Sequence, residues 1–233
     1  MVLAAWFYLP GLYRLQAIWL KGLFFLVGIP VLIKKQQTAL PGGAVYVCNH
    51  FSSLDNLAVY LCLDEPFSVL GLEEIGRLPL YGYMFSRMHI LFDRKDARGR
   101  VQALLQAGQR LEEGDKVVIA AEGGIKSLEP PALYQPFEDG AFILAIKKQV
   151  PLVPLVFKST YRMLPEFPLK YFYRVPFEAE ILAPINTRGL GLQDIPLLKK
   201  EVYQQMSRCL QGMPVSPANL AERSRWNLIR EFR

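Results

Sequence analysis

The chain has 233 residues, enough for one substantial core and too few for two comfortable domains. Apolar residues make up 52% and mean hydropathy is +0.17, which excludes disordered, collagenous and low-complexity classes. Lys and Arg number 27 against 21 Asp and Glu, and the net +6 sits at the two ends. Arg14, Lys21, Lys34 and Lys35 precede the first acid, Asp55, while Arg208, Arg223, Arg225, Arg230 and Arg233 close the chain against Glu222 and Glu231. Basic ends on an apolar chain suit an anionic membrane surface, and no zinc-finger spacing or RNA-binding motif points to nucleic acid. Cys48, Cys62 and Cys209 are odd in number and lack CxxC spacing, so neither a disulfide framework nor a zinc site is expected, no metal is expected, and a reducing compartment fits.

In chain order, residues 15–33 are nearly all apolar, interrupted by Gln16 and Lys21. The unbroken run Gly22–Ile33 has 12 residues, whereas a hydrocarbon core of about 30 Å needs roughly 20. Arg14 and Lys21 are seven apart and share one helix face, which Gly28 continues, and Pro10 and Pro30 bracket the segment. A helix with apolar sides and one cationic stripe lies well in a membrane surface. No small-residue cleavage site follows, so a signal peptide is not expected. A spanning anchor and a core helix compete, although an all-round apolar terminal helix fits a core poorly. The expectation is a membrane-anchoring segment over residues 1–38, monotopic or single-anchored on the cytoplasmic face, ahead of an α/β domain over residues 39–233.

From Ala44 short apolar runs alternate with amphipathic stretches. The runs Ala44–Cys48, Phe67–Leu70, Ile90–Phe92, Lys116–Ala121, Leu152–Phe157 and Phe177–Leu182 read as strands. Leu54–Leu63, Glu73–Arg87, Ala97–Glu113, Gly140–Gln149 and Gln193–Leu210 read as helices, the third with Asp96 as N-cap and Gly114 as stop. Glu129–Pro136 and Leu164–Lys170 read as loops. This alternation predicts a mixed, largely parallel sheet covered by helices, with its site at the carboxyl ends of strands.

Four stretches carry chemistry. In Asn49-His50-Phe51-Ser52-Ser53-Leu54-Asp55 a strand ends in a histidine and a helix starts at an acid. Were the stretch helical throughout, His50 and Asp55 would point about 140° apart. With His50 in the loop, Asp55 reaches back, fixes the imidazole tautomer and stabilises the imidazolium. The alternative is a loop histidine beside a capping acid. A dyad without a nucleophile suits direct attack by a substrate hydroxyl. There is no GxSxG elbow and no GxxxxGK[ST] loop. His89-Ile90-Leu91-Phe92-Asp93-Arg94 delivers a guanidinium, whose fork suits a phosphate, although an ion pair with Asp93 or Asp96 fits equally. Glu122-Gly123-Gly124-Ile125-Lys126 offers close backbone approach and a cation, or an ordinary turn with a solvated lysine. Val150–Val156 is a strand with two prolines. The second histidine, His89, lacks an acid five residues on and reads as a satisfied core residue. Cys48 points to the strand face opposite its neighbours and reads as core.

Taken in order, the four stretches resemble the motifs of the glycerolipid acyltransferases, the 1-acylglycerol-3-phosphate O-acyltransferase family. Asn49, His50 and Asp55 match the family's N-H-x4-D intact, and Ile90 to Arg94 matches its apolar strand ending in Arg. Of the third motif, usually F-P-E-G-T-R, Glu122 and Gly123 stand; Ala120-Ala121 replaces Phe-Pro, Gly124 and Ile125 replace Thr-Arg, and Lys126 offers a cation one place later. Val150–Val156 matches the fourth, and the likeness covers roughly residues 40 to 190.

The resemblance implies that His50, oriented by Asp55, is general base for the free hydroxyl of 1-acylglycerol 3-phosphate. That hydroxyl attacks an acyl-CoA or acyl-carrier-protein thioester with no acyl-enzyme and no cofactor, giving phosphatidic acid. Arg94 then binds the acceptor phosphate, with Glu122, Gly123 and Lys126 completing the pocket. The altered third motif leaves open another lysophospholipid, glycerol 3-phosphate, transacylation between phospholipids, and an inactive lipid-binding relative.

Overall fold

A computed structural model describes residues 10–36, 40–79, 81–127, 129–166 and 172–214. Seven strands form one sheet: β1 (Val31–Lys35), β2 (Ala44–Cys48), β3 (Phe67–Leu72), β4 (Ile90–Phe92), β5 (Lys116–Ala120), β6 (Leu152–Phe157) and β7 (Phe177–Ile181). Their order is β1-β7-β6-β2-β5-β3-β4. Every neighbouring pair is parallel except β6 and β7. The fold is therefore the mixed, largely parallel α/β sheet that the alternation of elements predicts.

The helices are α1 (Pro10–Leu26), α2 (Asp55–Cys62), α3 (Glu73–Gly76), α4 (Tyr81–Met88), α5 (Ala97–Glu112), α6 (Gly140–Lys148), α7 (Thr160–Met163) and α8 (Ile195–Leu210). Asp96 caps α5 by accepting from the backbone N–H of Arg98 and Gly99 at 2.9 Å each. Gly114 ends it with φ +92°, in the left-handed region that only glycine enters freely. The predicted helix Glu73–Arg87 is instead two, α3 and α4, because Pro79 lacks an N–H and disfavours helix in the residue before it.

β2 is buried throughout and divides the core by alternation. Val45 and Val47 meet α5, α6 and α8 through Ala107, Leu111, Phe142, Ala145, Val202 and Met206. Ala44, Tyr46 and Cys48 face the other layer, with Leu61, Phe85 and Phe177.

α1 belongs to that second layer. Tyr13, Ala17, Leu20 and Phe24 recur at helical spacing and are buried. The Tyr13 ring lies 5.2 Å from Phe67 and the Phe24 ring 6.0 Å edge-on to Phe177. Its opposite face is bare: Leu15, Ile18, Trp19, Phe25 and Leu26 are 60–82% exposed. Among the described residues no helix is long and apolar enough to cross a membrane. One side of α1 is thus core, which the sequence reading argued against. β1, inside the segment read as anchoring, is an edge strand paired with β7.

Candidate active site

Parallel pairing brings the carboxyl ends of β2, β5, β3, β4 and β6 to one edge of the sheet. Three of the stretches singled out in the sequence lie at the ends of β2, β4 and β5, and the fourth runs along β6, so the fold gathers them. Asn49 binds two of these ends together. Its Nδ2 donates to the Phe157 carbonyl at 3.0 Å, and its Oδ1 accepts from the Phe157 N–H at 2.8 Å. The buried amide copies a backbone rung where the β2–β6 ladder stops.

One residue on stands His50, its side chain 17% exposed. Its Nδ1 lies 3.0 Å from Oδ2 of Asp55, the first residue of α2. The same oxygen accepts the backbone N–H of Phe51 at 2.8 Å and of Ser52 at 3.0 Å. An oxygen holding two donors is an acceptor, so it selects the tautomer with the proton on Nδ1. Nε2 makes no hydrogen bond among the described residues and is the free basic atom. The loop is held by Ser52 Oγ, which donates to the Leu164 carbonyl at 2.6 Å and accepts the Leu54 N–H at 3.2 Å. Ser53 Oγ donates to Glu166, with Oε2 at 3.0 Å.

Glu122 is fully buried. Oε1 accepts the His50 N–H at 2.9 Å and Oε2 accepts the Tyr134 N–H at 2.8 Å. Burial pushes its carboxyl up to about 7, against the two N–H donors that favour the charged form. Both oxygens are thus committed inward, to the backbone of the histidine and to the Pro-rich loop 129–136. Nothing in the residue pattern announced this: an acid before two glycines reads as a pocket residue, and its Tyr134 partner lies 12 positions on.

Gly123 and Gly124 follow with φ +69° and +144°. Each has a side chain laid across it. A Cβ at 123 would meet Glu138 Cγ at 2.6 Å; one at 124 would meet the Arg94 guanidinium, with Cζ and Nη1 at 3.1 Å and Nη2 nearer still. Lys126 Nζ pairs with Glu138 Oε1 at 2.8 Å and sits 5.4 Å from the Tyr134 ring centre. Arg94 is exposed and makes no ion pair among the described residues, neither with Asp93 nor with Asp96. Of the two cations expected at the site, Lys126 carries a carboxylate partner and Arg94 does not.

Cys48 is buried on the core face, and burial pushes its thiol well above the ordinary range, so it is no nucleophile.

The site thus holds a histidine oriented by a carboxylate, with no nucleophile bonded to it, and an arginine without an ion pair among the described residues. In sequence comparison the Acyltransferase family model matches residues 31–158, and the chain belongs to that family. An uncharacterised acyltransferase of Schizosaccharomyces pombe is 32% identical over 170 residues, covering 72% of this chain and 60% of the relative. The 1-acyl-sn-glycerol-3-phosphate acyltransferase alpha of Mus musculus is 28% identical over 163 residues, covering 70% and 56%. This chain thus spans about three fifths of the length of these relatives. In structure it is similar to the 1-acyl-sn-glycerophosphate acyltransferase PlsC of Thermotoga maritima, with TM-score 0.70, 19% identity and coverage of 88% and 79%. The family model starts at Val31, so it takes in β1.

Proposed function

We infer that this protein is an O-acyltransferase of membrane lipids, moving a fatty acyl group from an acyl-CoA or acyl-carrier-protein thioester to the free hydroxyl of 1-acylglycerol 3-phosphate. The observation that carries the reading is His50 with Nδ1 held 3.0 Å from Asp55 and Nε2 left open. The acceptor hydroxyl gives its proton to Nε2 as its oxygen bonds to the thioester carbon. Asp55 stabilises the imidazolium that results. The tetrahedral intermediate then expels the thiolate, which takes the proton back. No acyl-enzyme forms, and no cofactor is required.

Arg94 is the group for the acceptor phosphate, since it is exposed and unpaired and its fork suits phosphate oxygens. Lys126 lends charge only through its pair with Glu138. Glu122 acts as a positioning residue for the His50 backbone rather than as a substrate ligand, because both its oxygens are engaged. The bare face of α1, with Arg14 along one flank beside Lys21 and its partner Asp64, is the surface that would rest on a membrane. Five exposed apolar side chains on a single helix face are otherwise costly in water.

The test offers the purified protein a panel of lysophospholipids and glycerol 3-phosphate with acyl-CoA, then with acyl-carrier protein. Thiol release is followed and the product is identified by mass spectrometry. Phosphatidic acid from lysophosphatidate is the expected result. Turnover of another acceptor alone would reassign the substrate. No turnover with either donor would overturn the reading in favour of a lipid-binding protein.

A further inference from the structure

Arg94 leaves the end of β4, and Gly124 follows the end of β5. β3 lies between them, so the two strands are about 10 Å apart at the usual spacing. The Arg94 side chain bridges that gap and lays its guanidinium on the backbone of Gly124. Gly124 is buried, and its φ of +144° belongs to glycine. The neighbouring glycine, Gly123, carries Glu138 instead, and Glu138 is spoken for by Lys126. The loop therefore presents one unpaired cation, and that cation is in place only because residue 124 has no side chain.

We propose that Gly124 is a specificity-determining residue, a flat seat that fixes the Arg94 guanidinium beside the dyad loop and so selects acceptors bearing a phosphomonoester. This rests on the assignment of Arg94 to the acceptor phosphate. The seat gives Arg94 a fixed place on the loop where Gly124-Ile125 stands instead of the family pattern's Thr-Arg. The seat lies one residue pair beyond Glu122, which is bonded to the His50 N–H, so the phosphate site is built onto the catalytic loop. A planar guanidinium can lie flat on a peptide plane while its outer N–H groups face solvent; a tetrahedral ammonium cannot.

The experiment measures kcat and KM for lysophosphatidate, with acyl-CoA as donor, in the full-length wild type, Gly124→Ala, Arg94→Ala and the double variant. Gly124→Ala should raise KM roughly tenfold, the loss of one charge-assisted hydrogen-bonding group, with kcat within about twofold. The double variant should then be no worse than Arg94→Ala alone, because the seat has nothing left to hold. Multiplying effects would overturn the seat and leave plain loop strain as the cause. Should Gly124→Ala not fold, a crystal structure of the wild type decides: a guanidinium lying over residue 124 supports the seat and one elsewhere overturns it. A crystal structure of Gly124→Ala reads the seat directly, with the guanidinium expected off the loop; a guanidinium still over residue 124 overturns it. An unchanged KM in Arg94→Ala, with the guanidinium displaced in that crystal, would fail the phosphate assignment and with it the selectivity, while leaving the seat as a structural fact.

Discussion

The chain has two histidines, and the structure uses them in opposite tautomers. His50 follows β2, and its Nδ1–H donates a hydrogen bond to Asp55, which leaves Nε2 free. His89 precedes β4, and its Nδ1 accepts the Val69 N–H at 3.3 Å. The proton must then sit on Nε2, which faces the Tyr60 hydroxyl at 2.7 Å. Phe67 and Phe85 enclose the ring, with centres 5.6 and 4.4 Å away. His89 has no nitrogen to spare, and burial pushes it down to about 3. Which ring nitrogen carries the proton is set by what Nδ1 meets: a side-chain carboxylate at His50, a backbone N–H at His89.

The largest effect should come from exchanging the two losses. His50→Ala is expected to lower kcat roughly a thousandfold or more and leave thermal unfolding and vesicle binding unchanged. His89→Ala should do the reverse. It strands the Tyr60 hydroxyl and the Val69 N–H and opens a cavity, which costs about 2–4 kcal/mol, while each folded molecule keeps its kcat. Unfolding midpoints and active-site-normalised rates on both variants check this. A His50→Ala protein that still turns over would break the comparison at its root.

Asp55→Asn should follow, with kcat down roughly 10²–10³-fold. Oδ1 of Asp55 is buried with no hydrogen-bond partner, so an asparagine amide turned there finds none either. The carbonyl end can keep the Phe51 and Ser52 N–H groups. The loop then survives, and what is lost is the charge that steadies the imidazolium. The pH–rate profile should lose rate across its whole range, and a wild-type kcat would remove Asp55 from the mechanism.

Glu122→Gln separates positioning from substrate binding. The amide can still accept the His50 N–H, but its NH2 then faces the Tyr134 N–H, donor against donor. The expected outcome is a kcat roughly tenfold lower with acceptor KM within about twofold, and faster hydrogen exchange at Tyr134. A raised KM with unchanged kcat would instead return Glu122 to the substrate pocket, as the family resemblance implies.

The dyad was legible because it is local: five positions separate its members, and a strand end followed by a helix start is visible in the pattern. Strands β2, β4 and β6 were legible to the residue for the same reason, as short apolar runs between turn signals. Contacts that depend on how strands are ordered were not. Arg94 meets Gly124 across β3, and Glu122 meets both His50 and Tyr134; no spacing rule reaches that far. α1 misled for another reason. Tyr13, Ala17, Leu20 and Phe24 keep core spacing, but the opposite face is apolar too, so periodicity had no contrast to report. β1 was hidden by its lysines, since an edge strand alternating toward solvent looks like the end of an anchor.

The smallest effect is a pH dependence, and it sharpens the histidine comparison without touching catalysis. Between pH 6.5 and about 3 the unfolded chain protonates His89 and the folded chain does not. Stability therefore falls as pH falls through that window, by about 1.4 kcal/mol per pH unit. Glu122 acts in the opposite sense. Its carboxyl is raised to about 7, so between about 4.5 and 7 the folded chain holds a proton that the unfolded chain releases, and lowering pH stabilises the fold. In the overlap the two contributions oppose, and the wild type alone would show little slope from them. His89→Gln removes one of them: the amide can accept the Val69 N–H and donate to Tyr60 at every pH. Urea midpoints from pH 7.5 down to 4.5 should show the variant gaining on the wild type steadily below pH 6.5, because the Glu122 contribution cancels in the difference. Parallel curves would mean that His89 takes up its proton in the folded state as readily as in the unfolded one, and that its enclosure by Tyr60, Phe67 and Phe85 opens at little cost.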